Sequence, residues 1–270
     1  MQATATPTIA VLHRTERTTR DRELLRYVGR HGAVSIEHAM AAFCAGRTAT
    51  YRRVAACIER GLLERLELLR FEPALLRATR EGLRYAGLAL PVAIVSPGAV
   101  EHWLRCASVA QLLVEEFDPG SLLTERELRA AERIEEHPLA STRLGERALH
   151  RPDLVVMTTA KDPDVTPSAN GLARPEHPRT RERGREIAGD EERAPAGAEE
   201  MRLMVIAVEV ELTPKAPRRL EQIVRAWRRA SWVTEVRYYC APGATQRAVQ
   251  RAVAKTHSEE KVRILEAPPR

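Results

Sequence analysis

The stretch that most constrains the fold is residues 203–215, which read LMVIAVEVELTPK. It begins as a continuous apolar run and ends in alternation, with Glu209, Glu211 and Thr213 two residues apart. Side chains two residues apart on a β-strand lie on the same face. The pattern therefore predicts a buried strand whose end carries two carboxylates side by side, followed closely by Lys215. Such a group can hold a divalent metal and a phosphate.

Length and composition limit the class of protein. A chain of 270 residues is long enough for two domains, each with its own core. Aromatic residues make up only 4%, which argues against a surface that stacks single-stranded bases. The four cysteines show no CxxC spacing, so neither a disulfide framework nor a zinc site is indicated. Without a signal peptide or a membrane-spanning apolar run, we expect a cytoplasmic protein with no membrane partner.

The charge of the chain favours a polyanionic partner. The net charge is +6 and the isoelectric point is near 9.4. Residues 1–90 carry 15 arginines against nine acidic residues, so the first third is the basic part. Lysine occurs at only four positions, one of them Lys215, so nearly all of the basic residues are arginine. Genome-wide codon bias would also produce such a skew.

A winged helix-turn-helix domain is predicted for residues 18–90, after a disordered tail over 1–17. Apolar spacing and glycine stops predict three short helices, over about 19–31, 36–43 and 48–60. The third takes its apolar positions from Tyr51, Val54 and Ile58. Ser35 is expected to cap the second. Strands over 62–71 and 75–78, around a turn at Glu72-Pro73, would form the wing, and Thr79 would cap a closing helix that ends near Gly87.

In this fold the third helix enters the major groove of double-stranded DNA. The residues expected to face DNA are Arg47, Thr48, Thr50, Arg52 and Arg53 on that helix, with Arg70 and Arg77 on the wing. Arginine can bond guanine in a bidentate fashion, and threonine can contact a phosphate or a thymine methyl. The alternative is that these arginines form a solvated face and that the helices pair with another protein.

A connector helix is predicted within residues 91–120. Ser96 would cap it, Pro97 would occupy its first turn, and it would run to about residue 117 after a β-prone stretch over 88–95. Its apolar stripe is wide enough to contact both domains or a second copy of the chain in a homodimer. Thr124 and Glu127 form a capping box that starts another helix. His102 and His137 are expected to be surface histidines.

An α/β domain is predicted for residues 121–270. Residues 160–200 contain five prolines and few large apolar side chains, and we interpret them as a disordered insertion between two neighbouring strands. A linker between separate domains is the alternative. Strands at 154–157, 203–212, 234–240 and 261–265 alternate with helices at 217–230 and 242–256. With the capped helix in front, the element order is α-β-β-α-β-α-β.

These motifs resemble those of a known superfamily. Pro152-Asp153 before one strand, Glu209-Val210-Glu211 in the next, and then Lys215 resemble the PD-(D/E)xK nucleases. With the winged helix and the phrase EVELTPKAPRRLEQIVRAW, the chain is similar to the replication-relaxation family of actinobacterial plasmids and integrative elements. The likeness covers most of the chain outside residues 1–17 and 160–200. It implies a protein of plasmid replication or transfer that acts on DNA beside other replication or transfer proteins.

The resemblance also implies a Mg²⁺-dependent endonuclease site. Asp153, Glu209, Glu211 and Lys215 would be catalytic, and the three acids would hold the metal. The superfamily lysine stands two residues after the second acid, whereas Lys215 arrives two or four residues late. Either Lys215 reaches the site from the loop, or Glu211 replaces the lysine and the core is a catalytically silent scaffold. A non-catalytic winged-helix regulator or accessory factor is therefore the alternative function.

Overall fold

A computed structural model describes residues 19–43, 46–68, 73–135, 139–145, 148–161 and 201–269. The protein is a mixed α/β structure with two principal sheets. The tail over 1–17, Arg70, Glu72, His137 and residues 162–200 of the predicted insertion lie outside the described residues. Within the described ranges, no helix combines the length and apolarity that crossing a membrane requires.

The N-terminal half combines four helices with a small sheet. Its elements are α1 (Thr19–His31), β1 (Val34–Ser35), α2 (Ile36–Phe43), α3 (Arg47–Glu59), β2 (Leu63–Leu66), β3 (Leu75–Ala78) and α4 (Arg80–Ala86). The strands pair antiparallel in the order β1-β3-β2. Leu24, Leu25 and Val28 of α1 are buried against α4 and the sheet. The predicted positions of all four helices are confirmed.

Local hydrogen bonds explain where these helices begin. Ser35 Oγ accepts from the backbone N–H of His38 at 3.3 Å, and Thr79 Oγ1 accepts from that of Gly82 at 3.1 Å. Both predicted caps are confirmed. One prediction for α3 is wrong: Tyr51 is 42% exposed. The helical period instead turns Thr50, Val54 and Cys57 inward.

Helix α5 (Val100–Glu116) lies between the two halves. Ala107 packs in the N-terminal core, whereas Val109, Ala110 and Leu113 pack against the C-terminal sheet. Ser96 and Pro97 occupy the predicted N-cap and first-turn positions, but of a 3-10 turn over Pro97–Ala99 that precedes the helix, and the Ser96 side chain makes no capping bond. The β-prone stretch over 88–95 forms no strand.

The C-terminal half is built on a five-stranded sheet. Its elements are β4 (Leu122–Thr124), α6 (Glu125–Glu135), β5 (Thr142–Leu144), β6 (Ala148–His150), β7 (Leu154–Lys161), β8 (Met201–Glu211), α7 (Pro217–Arg229), β9 (Glu235–Cys240), α8 (Ala244–Thr256) and β10 (Val262–Glu266). The sheet order is β10-β9-β8-β7-β4. Strands β8, β9 and β10 are parallel, while β7 is antiparallel to β8 and to β4.

The predicted order α-β-β-α-β-α-β matches α6, β7, β8, α7, β9, α8 and β10, with the hairpin β5–β6 inserted after α6. The capping box is confirmed too, since Thr124 N–H donates to Glu127 Oε2 at 3.0 Å and Glu127 N–H to Thr124 Oγ1 at 3.4 Å. Edge strand β4 and the β5–β6 hairpin were not predicted. Strand β7 extends past residue 157 to Lys161 because it pairs with β8 over its whole length.

The packing of α4 generates a stability prediction. A Cβ on Gly82 would stand 2.0 Å from the backbone oxygen of Leu62. Alanine in a helix is ordinarily favoured over glycine by about 1 kcal/mol. In Gly82→Ala we expect the clash to reverse this and lower the free energy of unfolding by about 1–3 kcal/mol, measured by urea denaturation. Gly98→Ala is the control, because nothing lies within 4 Å of its added Cβ. Equal stability of the two variants would contradict the packing.

Candidate functional site

Strand β8 is the centre of the candidate site. Val208 and Val210 belong to the cluster that contains residues of α5, and Ala207 to the cluster that contains Trp227 of α7. Glu209 and Glu211 lie two and four residues after Ala207 in the strand, so their side chains are on the same face of the sheet, the one that packs against α7. Each is only 4% exposed. Buried carboxylates need partners, and the surrounding elements provide them.

Glu209 is held from two sides through one oxygen. Its Oε1 lies 2.6 Å from His150 Nε2 at the end of β6 and accepts from Trp227 Nε1 at 2.9 Å. Burial alone lowers the pKa of His150, but the adjacent Glu209 carboxylate outweighs it and the net pKa is raised. The pair therefore favours a charged imidazolium beside a charged carboxylate.

Asp153 lies opposite Glu209, since the next pair in the register joins Leu154 to Val208. Its backbone N–H donates to the oxygen of Val208 at 2.9 Å. Its side chain accepts from the N–H of Val210 at 2.7 Å through Oδ2, and its Oδ1 lies 3.0 Å from His102 Nε2. Asp153 is thus fixed between the end of β8 and helix α5.

Lys215 reaches the site from the loop after β8. Its Nζ forms an ion pair with Glu211 Oε2. Burial raises the pKa of Glu211; the lysine opposes this, and the charges of Glu209 and Asp153 add to it. The structure therefore places the four residues that the sequence assigned to catalysis near the end of β8, with Lys215 paired to Glu211. The ligand atoms of Asp153, Glu209 and Glu211, however, do not all lie within 4.8 Å of one another.

A second group of ligand-type side chains shares Asp153. His102, Cys106 and Asp153 each place one possible ligand atom within 4.8 Å of the other two. Among the described residues, this is the group of three or more His, Cys, Asp or Glu side chains that are close enough to share a metal ion. His102, expected to be a surface histidine, has a side chain that is 42% exposed, and its hydrogen bond with Asp153 raises its pKa. The missed signal is the spacing of His102 and Cys106, which puts both on one helix face.

Some of the residues predicted to face DNA are exposed, and others are buried or paired within the protein. Arg47, Thr48 and Arg52 are exposed on the N-terminal half of α3. Thr50 is buried, contrary to expectation, because it lies on the inward face and its Oγ1 donates to the backbone oxygen of Gly46.

Two further arginines of this set have partners within the protein. Arg53 donates to the buried Asp21 at 2.7 Å, and its side chain is 31% exposed, so its charge is paired within the protein. Arg77 donates to Glu64 at 2.7 Å and to the backbone oxygen of Ala93 at 2.8 Å. Arg70 lies outside the described residues.

The His150–Glu209 pair gives a pH prediction for the metal-free protein. The raised pKa of His150 means that the folded state binds this proton more tightly than the unfolded chain. The stabilisation is fully present below the unfolded-state pKa of about 6.5 and is lost as the pH rises through the folded-state pKa. Denaturation in chelator across this range should show a smaller pH dependence for Glu209→Gln than for the wild type. The exposed-site control Glu115→Gln should retain the wild-type dependence. A Glu209→Gln variant with the wild-type slope would contradict this role of the pair.

Comparison with known proteins yields no relative. No protein-family model matches the chain, and no curated protein or solved structure is similar to it. The geometry of the chain's own residues is therefore the basis of any functional assignment.

Proposed function

We propose that the protein binds double-stranded DNA and that its N-terminal half is a winged helix. The element order α1-β1-α2-α3-β2-β3, with an antiparallel sheet in the order β1-β3-β2, supports this fold. In a winged helix, α3 is the element that enters the major groove.

The exposed face of α3 carries the proposal. Arg47 and Arg52 are exposed, and within the described residues neither forms an ion pair with a carboxylate. Their charge is therefore available to phosphates or to guanine edges. The Arg47 guanidinium lies 5.5 Å from the ring centre of Tyr51, which restricts its orientation. Arg53 and Arg60, by contrast, neutralise Asp21 within the protein.

The test is duplex binding by Arg47→Ala/Arg52→Ala. We expect weaker affinity and a plot of log K against log salt whose slope falls by about 2, one for each lost phosphate contact. The matched control is Arg247→Ala/Arg251→Ala, which removes two exposed arginines from α8. Fluorescence anisotropy over a salt series measures both. Equal losses in the two double variants would indicate non-specific charge attraction and contradict the assignment to α3.

A Mg²⁺-dependent endonuclease activity is the second candidate, in plasmid replication or transfer. The register of Asp153 against Glu209 and the ion pair of Lys215 with Glu211 favour it. Carboxylate oxygens suit Mg²⁺, and Glu209 and Glu211 each bind their partners through a single oxygen. Asp153, Glu209 and Glu211 would hold the ion, which would polarise the scissile phosphate. Their ligand atoms do not all lie within 4.8 Å of one another in the structure, so binding requires these side chains to move together. Lys215 would orient the attacking water.

The same contacts also fit a silent scaffold. Both oxygens of Asp153 already have partners, and Lys215 neutralises Glu211. The alternative is therefore a non-catalytic regulator or accessory factor, which binds DNA through the winged helix and uses the α/β half for partners or dimerisation.

Nicking of supercoiled plasmid with Mg²⁺ separates the two candidates. For the nuclease we expect nicking that is lost in Asp153→Asn and Glu209→Gln, and reduced by at least about 100-fold in Lys215→Gln. Glu115→Gln is the control on the surface. Nicking that persists in both acid variants would eliminate this site. Duplex binding without nicking by the wild type would favour the regulator.

A further inference from the structure

The cluster of His102, Cys106 and Asp153 has the chemistry of a transition-metal site. His102 and Cys106 are one turn apart on α5, and Asp153 meets them from the start of β7. His102 Nε2 lies 3.0 Å from Asp153 Oδ1 and 3.4 Å from Cys106 Sγ. A nitrogen, a sulfur and an oxygen atom that can each bind a metal thus lie close together.

The spacing of these atoms suits tetrahedral coordination. Zinc bonds of about 2.0–2.3 Å at the tetrahedral angle separate the ligand atoms by roughly 3.3–3.6 Å. The His102 pairs at 3.0 and 3.4 Å need changes of only a few tenths of an ångström to match this. The backbone bonds of Asp153 to Val208 and Glu125 keep the carboxylate at this place.

A cavity borders all three side chains. Its volume is about 50 Å³, which exceeds the roughly 10–15 Å³ that one water needs. Arg126 also lines it, and Arg126 Nε is buried with no hydrogen-bond partner among the described residues. A fourth ligand therefore has room, and an unsatisfied donor in the same wall favours an anionic one.

We propose that His102 Nε2, Cys106 Sγ and Asp153 Oδ1 bind Zn²⁺ or a similar transition-metal ion, with the fourth position open to this cavity. Sulfur and imidazole ligands select such ions over Mg²⁺. Three protein ligands and an open position are the pattern of a reactive rather than a purely structural zinc site. Binding releases the Cys106 thiol proton to solvent and replaces the hydrogen bond between His102 and Asp153. The hydrogen on His102 Nε2 is released to solvent from the imidazolium, or moves to Nδ1 in the neutral ring, so that Nε2 can bind the metal. The inference does not depend on DNA binding or on nicking.

The proposed site departs from the expectation that the cysteines indicate no zinc site. That expectation considered CxxC spacing, whereas the ligands here are a histidine and a cysteine four residues apart and an aspartate 47 residues later. Asp153 belongs both to this group and to the acids at the end of β8. A zinc ion would bind its Oδ1, while its Oδ2 continues to accept from the N–H of Val210.

The test is cobalt substitution in the full-length protein. We expect one equivalent of Co²⁺ to give the intense visible bands of tetrahedral cobalt together with a near-ultraviolet sulfur-to-cobalt charge-transfer band. Zn²⁺ should displace the ion and abolish both. Cys106→Ser should remove the charge-transfer band, and His102→Gln should weaken binding by more than about tenfold. The second variant retains the thiol, so it tests the site even if Cys106→Ser does not fold.

Two controls identify the ligands. Cys240→Ser removes a buried thiol that stands beside Glu211 in the sheet register, and Glu115→Gln alters an exposed acid on α5. Both should keep the wild-type cobalt spectrum. The proposal is overturned by a wild-type protein that binds no Co²⁺ or Zn²⁺, by bound cobalt without the charge-transfer band, or by a band that survives in Cys106→Ser.

Discussion

The burial of two carboxylates in the central strand is the constraint on which the C-terminal half depends. An unpartnered buried charge costs several kcal/mol, so Glu209 and Glu211 require neighbours that neutralise them. Trp227 comes from α7, His150 from the hairpin and Lys215 from the loop after β8. Three separate segments are thereby drawn to one end of the sheet, where Asp153 begins the adjacent strand. The same contacts therefore both satisfy the buried carboxylates and hold α7, the hairpin and the loop against the sheet.

Helix α5 joins this site to the N-terminal half. One side contributes Ala107 to the N-terminal core, and Gln111 donates to Tyr27 and to the backbone oxygen of His38. The other side presents His102 and Cys106 to Asp153. Arg30 of α1 also pairs with Glu127 of α6. A metal bound at α5 would therefore lie on the same rigid helix that supports the proposed DNA-binding half.

The sequence predicted secondary structure well and side-chain partners poorly. Period-two alternation located β8, and the capping box at Thr124 located the start of α6, because both signals are local. The order of elements followed from the same patterns. Partners such as His150 for Glu209 depend on a hairpin that carries no strong turn signal, 59 residues away. The partner of Arg53 was missed for a similar reason, since its acceptor Asp21 belongs to another helix.

The proposed function depends on contact between the exposed face of α3 and double-stranded DNA. Site-specific photocrosslinking tests it most directly, with a photoreactive residue placed at Thr48 on α3 or at Gln250 on α8, both exposed. We expect a crosslink to duplex DNA from position 48 and none from position 250. A crosslink from position 250, with none from 48, would contradict it.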